Sequence, residues 1–258
     1  MSPTLHHVPP VLYALFLWWF GTGVILWLDR LPRRTFPWTM GAATLGLGAA
    51  LAGLAATRDD TNETAAYLAF SCAVMVWAWQ EVAFLLGYVT GSRRTACPAG
   101  STGWRRAFYA LQAVLHHELA LLALGAAVAA VTWEGANRTG WWTFLVLWVM
   151  RQSAKLNVFL GVRNLGEAFL PPHLRYLHSY FAHRPMNGLF PVSVIASTVM
   201  AGSVWQDAFA HGAGRFEATA LTLVGSLLTL AILEHGLMVV PLRTEGLWNW
   251  AMRGRAER

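Results

Sequence analysis

Glu81, His116, His117, Glu118, Arg151, Lys155, Asn157, Glu234 and His235 are the residues of this chain best equipped for chemistry, because each falls inside a long apolar run. A charge near the centre of a bilayer costs several kcal/mol, on the order of 3 by insertion scales. Such groups are therefore expected to face one another or a wet cavity. Arg151 and Lys155 are separated by four residues and share one face of a helix. Trp77, Glu81, Phe84 and Tyr88 form another stripe. Glu234 and His235 are neighbours about 100° apart, as are His117 and Glu118, so neither pair points one way. Three carboxylates against two cations and three imidazoles allow near-neutral pairing.

Three chemistries suit that set. The first is a buried network of ion pairs and hydrogen bonds that fixes helix packing. The second is a tetrapyrrole site, since neutral imidazole is a suitable axial ligand for the magnesium of a bacteriochlorophyll. His117, His235 and His116 are the candidate pigment contacts. The third is a two-metal carboxylate site, but the Glu-x-x-His spacing expected on paired helices is missing. No metal ligand set is assigned.

The elements that must position these residues are membrane helices. Of 258 residues, 56% are apolar and 12% charged, roughly half the charge of soluble domains. Spans are expected at 9–28, 38–57, 66–90, 107–132, 141–161, 188–208 and 218–240. The second is rich in Gly and Ala, which suits close packing in lipid. Turn residues and charges separate the runs. The fold class is thus all-α, a polytopic membrane bundle of about seven transmembrane helices, forming one domain over 1–258.

The formal charge of +6 does not indicate nucleic-acid binding, because the basic residues occupy short loops and form no continuous face. Alternate connections hold Arg30, Arg33 and Arg34; Arg93, Arg94, Arg105 and Arg106; Arg163, Arg175 and Arg184; and Arg243, Arg253, Arg255 and Arg258. The other side holds only Arg58, Arg138 and Arg215. The bias predicts an outside N-terminus and a cytoplasmic C-terminus. At about 1.5 Å per residue, the polar groups then share one level in the cytoplasmic half. Trp104, Tyr109, Trp133, Trp141, Trp142, Trp205, Trp248 and Trp250 lie near span ends, where amphipathic rings anchor at headgroups. The start, MSPTLHHVPP, has no Lys or Arg, so the first run reads as a retained span. Cys72 and Cys97 sit in different settings and imply neither a disulfide framework nor a zinc site.

The connection 162–187 contains an expected interfacial amphipathic segment at 171–183. Leu174, Leu177 and Phe181 would share a face, and Pro171 and Pro172 would start it. It is a candidate docking surface. His173, His178 and His183 recur every five residues and do not align. No phosphate loop, nucleophile elbow or HExxH motif occurs.

The blocks FLWWFGTGVIL (16–26), EVAFLLGYVTG (81–91), HHELALLAL (116–124), WWTFLVLWVMRQSAKLNVFLGVRNLGEAFLPPHL (141–174), HRPMNGLFPVSV (183–194) and LLTLAILEHGLMVVPLRTEGLWNWAM (227–252) resemble the PuhE family. That family is photosynthetic complex assembly protein 2 of purple and related phototrophic bacteria. The resemblance implies an assembly factor for the reaction centre and light-harvesting complex in the bacterial inner, intracytoplasmic photosynthetic membrane. It implies reaction-centre or light-harvesting subunits as partners and an association with bacteriochlorophyll supply, and it carries over no catalytic residues. A membrane-embedded metal-dependent enzyme or a modulator of bacteriochlorophyll biosynthesis is the alternative. A transporter ranks last, since no inverted repeat or broken helix pair is visible.

Overall fold

The computed structural model describes residues 3–242 and 244–252. Seven long helices account for most of it: α1 (Val8–Leu28), α2 (Phe36–Thr57), α3 (Glu63–Leu85), α4 (Gly103–Val131), α5 (Thr139–Leu160), α6 (Leu189–Ala208) and α7 (Arg215–Leu237). A short α8 (Asn249–Met252) ends the described chain. Among the described residues there is no strand, only an isolated bridge between Val162 and His183. The basic tail positions Arg243, Arg253, Arg255 and Arg258 lie outside the described residues.

Local chemistry explains the helix starts. Prolines occupy the first turn of α1 and α2, where a missing N–H costs nothing. Asn62 Oδ1 accepts from the Ala65 amide at 2.9 Å and caps α3. Asn137 holds the start of α5, accepting from the Thr139 amide while its Nδ2 donates to the Thr57 and Ala65 carbonyls. That one buried amide joins the ends of three helices.

Six of the helices are long and apolar enough to cross a membrane: α1, α2, α3, α4, α6 and α7. The apolar window is 56% buried in α3 and 50% in α7, against 11% in α2 and 17% in α1 and α6. So α3 and α7 form the centre, and the others turn apolar surface outward, with Leu12, Leu45, Ile195 and Val199 exposed. A soluble protein would not leave such faces uncovered; the protein is a multi-pass membrane protein. Helix α5 has the length but not the apolarity, because Arg151, Gln152, Lys155 and Asn157 interrupt it.

Three expectations need correction. The third span ends at Leu85 rather than 90, because the chain turns at Gly87 with φ +84°. Tyr88 therefore leaves the Trp77–Glu81–Phe84 stripe and is exposed. Within 171–183 the chain forms a 3₁₀ helix over Pro172–Tyr180. Its three-residue period buries Leu174, Leu177 and Tyr180, and Phe181 is not on that face. These side chains pack on Phe84, Leu85 and Ala113 of the bundle itself. Lastly, Trp248 is no headgroup anchor. It is 5% exposed and its Nε1 donates to the Trp19 carbonyl at 2.9 Å. By contrast Trp104, Trp133 and Trp142 are exposed, as anchors should be.

Candidate functional site

Helix α5 organises the polar layer. Its residues 151–157 reach four other helices within two turns. Arg151 donates to Glu81 Oε2 on α3 at 3.0 Å. Lys155 Nζ donates to Glu118 Oε1 on α4 at 2.7 Å, and Gln152 Nε2 donates to Glu118 Oε2 at 2.6 Å. Glu118 thereby uses both carboxylate oxygens. On the other side of α5, Ser153 meets His235 of α7 at 2.9 Å. Asn157 Nδ2 donates to Ser193 Oγ of α6 at 3.2 Å. The two stripes follow from helix geometry: 151 and 155 lie one turn apart on one side, 153 and 157 on the other.

Glu81, His117, Glu118, Arg151, Lys155, Glu234 and His235 line a single cavity of about 810 Å³. Aromatic side chains complete its walls, among them Trp18, Phe84, Phe169 and Trp248. Trp18 Nε1 donates to Glu234 Oε1 at 2.8 Å, so the third carboxylate pairs with an indole rather than a cation. Trp18 also meets Trp248 edge-on, at 5.5 Å between centroids. Glu234 and His235, though neighbours, both reach this space from α7.

The three candidate histidines are placed differently. His235 Nδ1 donates to the Ala231 carbonyl at 2.9 Å, which leaves Nε2 to accept from the Ser153 hydroxyl. Both of its nitrogens are engaged. His116 is exposed on α4 and does not line the cavity. His117 is 1% exposed, lines the cavity, and has no hydrogen-bond partner at either ring nitrogen. Its ring lies 4.6 Å from that of Phe84. Buried polar atoms are nearly always paired, so this ring is out of the ordinary. Asn157 is buried away from the cavity and serves packing. Asn187 donates to its side-chain and main-chain oxygens at 3.0 and 3.1 Å.

The backbone around His117 is also specialised. Its amide donates to the Thr90 carbonyl at 2.9 Å, and the Arg93 amide donates to the Gln112 carbonyl. The connection between α3 and α4 thus lies flat against α4. Gly91 makes this approach possible: a Cβ there would collide with the Gln112 and Ala113 backbone.

The spacing of ionisable residues did not point to Trp18, Gln152, Ser153, Thr90 or Trp248. Gln152 and Ser153 were within reach, because they stand in the same polar run as Arg151 and Lys155. Trp18, Thr90 and Trp248 carry no local signal. Among the described residues no three His, Cys, Asp or Glu side chains converge to hold a metal ion.

A helical membrane protein with a polar cavity walled by aromatic rings is the class these features define. The chain belongs to the family described as "Protein of unknown function (DUF3623)", which matches residues 4–258. It is 39% identical over 246 residues to the "Uncharacterized 30.4 kDa protein in puhA 5'region" of Rhodobacter capsulatus, covering 93% of this chain and 89% of that relative. No solved structure matches the chain.

Proposed function

We propose that this protein is an assembly factor of the photosynthetic membrane, acting on reaction-centre or light-harvesting subunits, whose cavity handles bacteriochlorophyll. His117 carries the reading: a buried imidazole without a partner at either nitrogen, on the wall of an aromatic cavity. The volume, about 810 Å³, lies within the usual range of cofactor sites, about 300–1,000 Å³. His117 is the residue that would hold a tetrapyrrole's magnesium, by a nitrogen of its neutral imidazole. Phe84, Phe169 and Trp248 offer flat apolar surface to a macrocycle. Glu81 with Arg151 and Glu118 with Lys155 cancel one another's charge, and Glu234 is held by the Trp18 indole, so an uncharged ring could enter without breaking either ion pair. The R. capsulatus relative takes its description from the region 5' of puhA, a photosynthesis gene region, in keeping with the PuhE resemblance.

The same reading has seven spans, with α5 as the seventh, the N-terminus outside and the C-terminus in the cytoplasm. It locates the protein in the intracytoplasmic photosynthetic membrane. The test is purification in mild detergent from a phototrophic host. Near-infrared absorption is expected, lost in His117→Ala and retained in His116→Ala, with reaction-centre or light-harvesting subunits in the eluate. A folded, colourless protein that brings down no complex subunit would overturn the proposal.

A further inference from the structure

A second pocket lies outside the polar layer, where the α1–α2 and α3–α4 connections meet the 3₁₀ helix over Pro172–Tyr180. Its volume is about 520 Å³. Arg33 and Arg94 stand at its rim, and Thr90, His173 and Tyr176 line its wall. Phe36 and Pro37, the first residues of α2, form part of the floor. The amino end of that 22-residue helix carries partial positive charge and favours anions.

Four features point to a ligand. Thr90 is 1% exposed, and its hydroxyl has no hydrogen-bond partner. The Tyr176 hydroxyl faces it closely enough to interact, and neither hydroxyl has a partner beyond the other. Neither Arg33 nor Arg94 has a carboxylate within salt-bridge distance among the described residues. No Asp or Glu lines the pocket. Among the described residues, two guanidinium groups without a carboxylate partner and two buried-side hydroxyls beside a helix amino end make a donor-rich site with no acidic side chain of its own. Guanidinium pairs suit tetrahedral oxyanions, which accept several donors at once.

We infer that this pocket binds a phosphate group, as a phosphate ester at the membrane boundary. His173 is built into the wall by its Nε2, which donates to the Leu85 carbonyl at 2.9 Å. Gly87, at positive φ, lets that ring approach its backbone closely. Burial, and then the nearby Arg33 and Arg94 charges, hold His173 below the ordinary histidine range. A bound phosphate would offset those two charges. The site does not depend on the pigment reading, because it shares no lining residue with the cavity of the polar layer.

The protein is purified into nanodiscs of phosphatidylcholine with a minority of phosphatidylglycerol, and bound lipid is read by native mass spectrometry. In parallel, thermal unfolding in detergent is followed with inorganic phosphate and with glycerol 3-phosphate against chloride at equal ionic strength. The wild type is expected to retain phosphatidylglycerol through washing that strips phosphatidylcholine, or to gain several degrees with the soluble phosphates. The first result marks a lipid headgroup as the source and the second a soluble ester. Both effects should disappear in the double variant Arg33→Gln/Arg94→Gln and weaken in Thr90→Val, and persist in Arg34→Gln, a neighbour outside the pocket. No preference for either phosphate form, or an undiminished preference in the double variant, would overturn the inference.

Discussion

Lys155 and Glu118 show what a half-buried pair does for this bundle. Their side chains are 26% and 21% exposed, so each charge has lost most of its solvation. Removing one partner strands the other, and this costs more than the pair contributes. Glu118→Gln and Lys155→Met should each destabilise by about 2 kcal/mol. The double variant should lose less than the sum, by a coupling of about 1 kcal/mol. A thermal-unfolding cycle in detergent reads this directly, and additivity would count against a working pair. Asp29 offers a different test, at the carboxyl end of α1. It is 5% exposed, its carboxylate oxygens accept no hydrogen bond and meet only Arg30 Nε, at 3.8 Å, and burial, opposed by Arg30, raises its pKa from 3.8 to about 7. The folded state therefore holds a proton that the unfolded state has released between those values. Stability should fall as pH rises from 5 to 8, by up to about 3 kcal/mol from this group alone. Asp29→Asn should flatten the slope and gain stability at pH 8. Equal slopes for both proteins would show that Asp29 ionises normally. At this scale the sequence reads well in kind and poorly in pairing. Apolar surroundings marked the residues that needed partners, but which carboxylate meets which cation depends on helix rotation, which no residue encodes locally.

Among the elements, the connections hold more structure than their composition announces. Asn187 precedes α6, and its Oδ1 accepts from the Leu189 and Phe190 amides at 2.8 and 3.2 Å. Its Nδ2 donates to three acceptors on Asn157 and Gly161. It thus caps one helix while binding the end of another. Asn187→Ala leaves these groups unpaired in a buried place, and a loss of about 2 kcal/mol is expected. Thermal unfolding checks it; a shift within error would mean that water replaces the amide. Helix positions are readable to within about five residues because long apolar runs bounded by Arg, Pro and Gly leave little choice. The segment 171–183 follows a three-residue period where an amphipathic α-helix is expected. Its apolar residues fit a helical face at either 3.6 or 3.0 residues per turn, and only packing on α3 and α4 decides between them. Trp248 misled for a related reason: indole suits both a headgroup boundary and a cleft beside another Trp.

For the whole molecule, topology is the decisive property. The proposed topology, with α5 as the seventh span, predicts that a reporter active only in the cytoplasm works when fused after residue 252 and fails when fused before residue 8; equal activity at both ends would mean an even number of crossings and overturn it. The hub role of α5 has a consequence for biogenesis. Helices α3 and α4 emerge from the ribosome before α5, and they bring Glu81 and Glu118. The two cations of α5 thus find their salt-bridge partners among segments already made, whereas Ser193, Asn187 and His235 come later as neutral partners and Glu234 of α7 is held by the Trp18 indole. Each lone cation at mid-bilayer opposes insertion by about 3 kcal/mol, enough to hold α5 at the translocon mouth. A nascent chain halted after Leu160 should still insert α5, and the same chain with Glu81→Gln and Glu118→Gln should leave it in water, open to added protease. Order of synthesis and order of charge neutralisation coincide in this protein.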